Sequence, residues 1–321
     1  ELLLRGAGCV SDRLSRRGLL QWGGSAAAFA LIPGPLAALT RLNWNPDEAR
    51  LAEWVAALRS EGFDPSGNAF GKAVIRAAEL AIGTPYEAST LEEYLAAGGS
   101  PAVEPLILSL TRFDCVTLVE AAIAVARVAV GSGAPAWSSF AREIERMRYR
   151  GGARSGYGSR LHYFSEWIAD GGSRGLLTDL GRELGGIPDE RPLRFMSEHR
   201  RSYPALADDA TFDQIAAMER GLHGTPRHVV PKGTIPGIAS RIESGDILAF
   251  ATTIPGLDVT HAAFAYRDRR DTLRVLHAPL SGGVVEITHS TLPEYVAAPL
   301  RAGNGARGRV PRAPRRNGRD Q

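Results

Sequence analysis

Residues 113–130 read FDCVTLVEAAIAVARVAV. Asp114 is a short carboxylate of the kind that accepts the free N–H groups opening a helix. From Val116 to Val130 there is neither Gly nor Pro, and Val116, Leu118, Val119, Ile123, Val125, Val128 and Val130 make the stretch apolar almost all round. A helix that is apolar all round belongs inside a fold. Cys115 then takes the first helical position, where unpaired backbone N–H groups and the positive end of the helix dipole favour a thiolate. The thiolate is the nucleophilic form, so this placement suits covalent catalysis.

On the N-terminal side, 46–60 (PDEARLAEWVAALRS) and 68–82 (NAFGKAVIRAAELAI) are predicted helices. The first has acidic residues in its first turn and Arg59 in its last, and the second is stopped by Gly83-Thr84-Pro85-Tyr86. Further helices are predicted over 137–148 and 211–222, with a poorly periodic stretch rich in Gly, Arg and aromatics over 149–210. The last third changes character. DILAFAT (246–252), HAAFAYR (261–267), TLRVLHA (272–278) and VVEIT (284–288) are strand-like runs separated by turn residues. Helices followed by an antiparallel sheet make an α+β fold, with a helical and loop insertion over 131–240.

Two of the seven histidines fall at strand ends, His261 and His277. If Asp268, Arg269 and Arg270 form the hairpin loop, His261 lies opposite His277, Ala263 opposite Val275 and Ala265 opposite Leu273. That face is expected to meet the Cys115 helix and to bring both imidazoles toward the thiol, His261 as base and His277 as its orienting partner. By pattern alone the histidines could equally be structural. A zinc site of Cys115, His261 and His277 is a second functional reading, although no CxxC or HExxH spacing supports it.

Charge bounds the partners. The two ends, 1–39 and 306–321, hold +2 and +5 of a net +3, which leaves the middle of the chain at −4. A mildly acidic core argues against a nucleic-acid-binding surface. Ser15-Arg16-Arg17-Gly18-Leu19-Leu20 resembles a twin-arginine export motif, and a weakly apolar stretch and small residues follow it. The expected organisation is an export signal over 1–39, a catalytic domain over 40–305 and an Arg-rich disordered tail over 306–321. The mature protein is expected in the periplasm or cell envelope, without a membrane span and as a monomer. Cys9 would leave with the signal, so Cys115 would be a lone thiol in an oxidising compartment, a situation that a nucleophile explains.

Gly83-Thr84-Pro85-Tyr86, Phe113-Asp114-Cys115, Gly245-Asp246-Ile247 and His261 together resemble the NlpC-type cysteine peptidases of bacterial cell walls, which are papain-like. FDCVTLVE (113–120), RYRGG (148–152), SRLHYFSEW (159–167), FMSEH (195–199), GLDVTH (256–261) and LHA (276–278) bring the chain nearer the N-acetylmuramoyl-L-alanine amidase-like branch of that superfamily. The resemblance implies a buried helix on an antiparallel sheet and a catalytic set of Cys115, His261 and His277. It also implies peptidoglycan or muropeptide as substrate, and neither cofactor nor metal. The N-acetylmuramoyl-L-alanine amide is the expected target. A bond within the stem peptide and a non-catalytic wall-binding role are the alternatives. Tyr86, Asp114, Arg148, Arg160, His162 and Tyr163 are the candidate substrate-binding residues, since arginines and aromatics suit carboxylates and sugar faces.

Overall fold

The computed structural model describes residues 2–6, 45–63, 68–225, 227–281 and 283–298. Most of the expected signal segment, including Arg16 and Arg17, and the whole Arg-rich tail lie outside these residues.

Helix α1 (Pro46–Glu61) begins where the Asn45 side chain accepts from Asp47 N, and it ends at Gly62 in the left-handed conformation, φ 69°. Helix α2 (Asn68–Leu80) follows. Helix α3 (Cys115–Val130) starts at Asp114 as the sequence predicts, with Leu118, Val119, Ile123, Val125 and Val128 buried on several sides. Its other end is closed from a distance: Arg59 of α1 donates to the carbonyls of Val128, Ala129, Gly131 and Gly133 at 3.1, 3.1, 2.9 and 2.6 Å. Helices α1, α2, α4 (Trp137–Arg148) and the sheet all pack on α3.

The sheet holds six strands in the order β2-β1-β3-β4-β5-β6, every neighbouring pair antiparallel. They are β1 (Leu2–Gly6), β2 (Leu177–Asp179), β3 (Ile247–Ala251), β4 (Val259–Arg267), β5 (Leu273–His277) and β6 (Glu286–Ile287). The fold is thus α+β, with helices first and the antiparallel sheet built mainly from the last third. The backbone of Leu2–Gly6, within the stretch expected to be a signal, forms the strand between β2 and β3.

Two expectations about the β4–β5 hairpin are corrected. The register is offset by two residues: Ala265 pairs with Val275 and Arg267 with Leu273. The loop is longer than three residues because Asp268 organises it. Its N–H donates to the Thr272 carbonyl, its carboxylate accepts from Arg270 N and Thr272 N, and Asp271 turns the chain at φ 61°. An offset of two preserves which side chains share a face, so His261 and His277 still lie together. The second correction concerns the face itself. Ala249, Ala262, Phe264 and Leu276 meet the α3 core. Ala263, Ala265, Leu273 and Val275 pack instead with Leu248, Ile235, Ile242 and Leu292 in a second core. Both faces of the sheet are buried, so alternation of apolar and polar residues could not tell them apart.

The insertion carries helix α5 (Phe164–Ser173), helix α6 (Asp209–Gly221) and a third cluster around Tyr157, Tyr163, Met196, Leu206 and Ile215. Helix α7 (Leu292–Ala297), closed by a Thr291–Glu294 capping box, covers the second core. Among the described residues no helix is long and apolar enough to cross a membrane.

Candidate active site

Cys115 is a buried free thiol at the first turn of α3. The capping box that starts the helix is complete. The Asp114 carboxylate accepts from Val116 N at 3.0 Å, Thr117 N at 2.8 Å and Thr117 Oγ1 at 2.9 Å, and Asp114 N donates to Thr117 Oγ1 at 2.8 Å. Asp114, expected as a substrate ligand, caps the helix, with all three of the bonds its carboxylate accepts on Oδ1.

The expected electrostatics of the thiol are reversed, chiefly by burial and in addition by the cap. Burial first, and the Asp114 carboxylate second, raise the Cys115 pKa to about 12. Backbone N–H groups of Ala262, Cys115 and Val116 pull the other way and lose. Burial outweighs them, and the Asp114 charge at the helix start that was expected to favour the thiolate acts against it as well. At neutral pH the group rests as a thiol.

The N–H of Ala262 that points at this sulfur belongs to the residue after His261. His261 and His277 are both buried and joined at 2.8 Å, Nε2 of His261 to Nδ1 of His277. Phe250 stacks on the His261 ring with centroids 5.5 Å apart, and Tyr295 meets the edge of His277 at 5.6 Å. This apolar housing keeps both rings neutral: burial and the neighbouring His277 lower the His261 pKa to about 3, and burial lowers that of His277 to about 4. The two outer nitrogens, Nδ1 of His261 and Nε2 of His277, have no hydrogen-bond partner among the described residues. A neutral imidazole with a buried, unengaged nitrogen can take up a proton. Tyr86 stands in the same neighbourhood. Burial, with the charges of Cys115 and Asp114, raises its hydroxyl pKa to about 12.

The other expected ligands are held inside the protein. Arg148 is buried against Glu120, Nε to Oε2 at 2.8 Å, and donates to the Ile107 carbonyl at 2.6 Å. Arg160 pairs with Glu92, lies 3.5 Å from Glu104 and sits over the Tyr157 ring. His162 donates through Nε2 to the Tyr157 carbonyl at 2.9 Å, since a carbonyl can only accept. The Tyr163 hydroxyl donates to Glu219 at 2.6 Å. These four side chains hold the irregular insertion together, because arginines and tyrosines buried this deeply require charge or hydrogen-bond partners. Asp258 likewise belongs to the scaffold, accepting from Ser165 N at 2.7 Å and Ser165 Oγ at 2.6 Å at the start of α5. Among the described residues no three His, Cys, Asp or Glu side chains converge as a group able to hold a metal. Sequence reasoning missed the walls Phe250 and Tyr295. Their only signal was parity: Phe250 alternates with Leu248 along β3, on the face His261 shares.

A model of the AmiA-like family, described as N-acetylmuramoyl-L-alanine amidase-like, matches residues 76–300. The chain belongs to this amidase-like family. The match takes in Cys115, both histidines and the whole insertion, and it makes the protein a member of a family of hydrolases. Crystal structures of an N-acetylmuramoyl-L-alanine amidase from Bacteroides uniformis are similar at 29% and 31% identity, covering 71% of this chain and 93% of that one with TM-score 0.64. A Bacteroides fragilis protein provisionally named a xylanase is 34% identical over 68% of this chain and 93% of that one, with TM-score 0.61. A search of curated proteins finds no match.

Proposed function

We propose that this amidase-like protein is a papain-like, NlpC-type cysteine hydrolase that cleaves the amide between N-acetylmuramic acid and L-alanine in peptidoglycan or muropeptides. The observation that carries the reading is the buried His261–His277 bond, which leaves Nδ1 of His261 unengaged one residue from the N–H that touches the Cys115 sulfur.

The chemistry follows from the resting protonation states. Because thiol and imidazole are both neutral, His261 acts as general base at the moment of attack rather than as half of a standing ion pair. Nδ1 takes the thiol proton as Sγ bonds to the lactyl carbonyl carbon. Backbone N–H groups at the start of α3, including that of Cys115, receive the developing oxyanion. His261 returns the proton to the alanine nitrogen, the C–N bond breaks, and a thioester remains on Cys115. Water, activated by His261, hydrolyses it and restores the thiol. His277 accepts the His261 Nε2–H throughout and so fixes the ring's orientation and tautomer. Tyr86 lines the cleft and contacts substrate. The amide reading is favoured over glycoside cleavage, which requires a pair of carboxyl groups across the bond. Asp114, the carboxylate beside Cys115, is held by three hydrogen bonds in its cap.

The Arg16-Arg17 motif supports export to the periplasm or cell envelope, where this substrate is found. Mass spectrometry of muropeptides treated with wild-type protein and with Cys115→Ser tests the reading. Release of free stem peptide by the wild type alone is expected. Shortened peptides still attached to the sugar would move the scissile bond into the stem. Equal turnover by both proteins would end the cysteine mechanism.

A further inference from the structure

The proposed chemistry leaves one buried donor unexplained. For Nδ1 of His261 to receive a proton it must carry none at rest, so that ring's single proton is on Nε2. Nε2–H then donates across the 2.8 Å contact to Nδ1 of His277. His277 must therefore hold its own proton on Nε2, an atom with no hydrogen-bond partner among the described residues, in a side chain about 95% buried. A buried N–H left in this state costs free energy unless something answers it.

The neighbouring strand supplies an answer. His277 and Glu286 are direct partners in the β5–β6 ladder, which puts their side chains on one face. The Glu286 carboxylate lies 3.8 Å from His277 Nε2, too far for a hydrogen bond but near enough to close by a change of rotamer. Its side chain is 55% exposed and so has freedom to move. The other groups facing His277 are His261 from β4 and the Tyr295 ring from α7. Arg274 of the same strand points to the other face and is paired with Asp268 at 2.8 Å.

We propose that Glu286 is a positioning residue, whose carboxylate receives the His277 Nε2–H as the His261 imidazolium forms and so extends the Cys115–His261–His277 chain by one member. This rests on the reading of His261 as the base. No proton leaves the pair in this step. The carboxylate only draws the N–H dipoles into line and stabilises the positive charge on the rings.

The test is kinetic and spectroscopic, on the full chain with a disaccharide-peptide muropeptide as substrate. Glu286→Gln keeps the shape and removes the charge. For a half-exposed charge pair it is expected to lower kcat about three- to fivefold with KM unchanged. It should also move the acid limb of kcat down by about half a pH unit, because the protonated pair loses a stabilising anion. Nitrogen-15 imidazole NMR of the wild type at neutral pH should find the His277 proton on Nε2. A His277 proton on Nδ1 would overturn the proposal whatever the variants do. So would wild-type kcat and an unmoved acid limb in Glu286→Gln while Cys115→Ser and His261→Ala are inactive. Activity retained in Cys115→Ser would instead overturn the parent reading.

Discussion

Two regions of this protein bury polar side chains, and they do so in opposite ways. In the insertion, Arg148 meets Glu120, and Arg160 meets Glu92 and Glu104. Glu219 accepts from the Tyr163 hydroxyl, Met196 N and Ser197 N. Opposite charges and donors meet there, although Oε2 of Glu92, Glu104 and Glu219 has no hydrogen-bond partner among the described residues, and the outcome is a brace for a segment with little regular structure. In the second region, His261 and His277 answer each other with one nitrogen apiece and leave the other nitrogen unengaged inside the protein. The arginines and glutamates of the insertion meet an opposite charge or a donor inside the protein, whereas the two imidazoles hydrogen-bond only each other among the described residues and each keeps a nitrogen that can take up a proton.

The contrast can be broken experimentally, beginning with the largest effect. Cys115→Ser and His261→Ala should each lower turnover by about 10³-fold or more while leaving the thermal midpoint close to wild type, because they remove the nucleophile or its proton acceptor. Unfolding of either variant would make that region a brace as well. Arg148→Ala should do the reverse. Stranding Glu120 without its partner is expected to cost about 3–5 kcal/mol in denaturant unfolding, with turnover per folded molecule unchanged. The double variant Arg148→Met, Glu120→Gln should recover part of that loss. Full stability in Arg148→Ala would show that the pair braces nothing. His277→Ala should cost about 10²-fold in kcat, and His277→Asn should restore part of it, since an amide oxygen can still receive the His261 Nε2–H. Equal activity of the Ala and Asn variants would remove the orienting role.

The smallest effect is a dependence of stability on pH. Both histidines have folded pKa values, about 3 and about 4, below the ordinary imidazole value. Between that ordinary value and those depressed ones the unfolded chain binds protons that the folded protein refuses, so stability falls as pH drops below about 6.5, by at most about 1.4 kcal/mol per pH unit for each ring. Cys115 acts at the other end. Its raised pKa means that the unfolded thiol ionises first, so stability falls as pH rises from about 9 toward about 12. Replacing both rings, as in His261→Phe with His277→Leu, should flatten the acid slope relative to wild type in chemical denaturation. An unchanged slope would mean that the rings are not held neutral.

Much of this arrangement was legible in the sequence because it depends on local chemistry. Asp114 before an unbroken apolar run fixes a helix start to within a residue, and short apolar and aromatic runs between turn residues give β3 to β6. Non-local features were not legible. Helix α5 contains Gly171 and Gly172 and is closed by Asp258, 93 residues from Ser165, so nothing in its own stretch announces it. The hairpin offset depended on how many residues Asp268 gathers around itself. The face of the sheet that meets α3 was hidden because both faces are apolar. The ion pairs of the insertion's arginines were hidden because Glu92, Glu104 and Glu120 come from earlier in the chain. The histidine pair was recoverable because side-chain parity survives a two-residue slip.

The aspartate that begins α3 has one more consequence. Its charge adds to the larger effect of burial, and together they leave Cys115 with almost no thiolate at neutral pH. Peroxide and alkylating agents attack the thiolate, so this nucleophile should age slowly among oxidants and become reactive only when a substrate carbonyl reaches it. The same residue that lets the helix begin thus acts as a preservative for its first side chain.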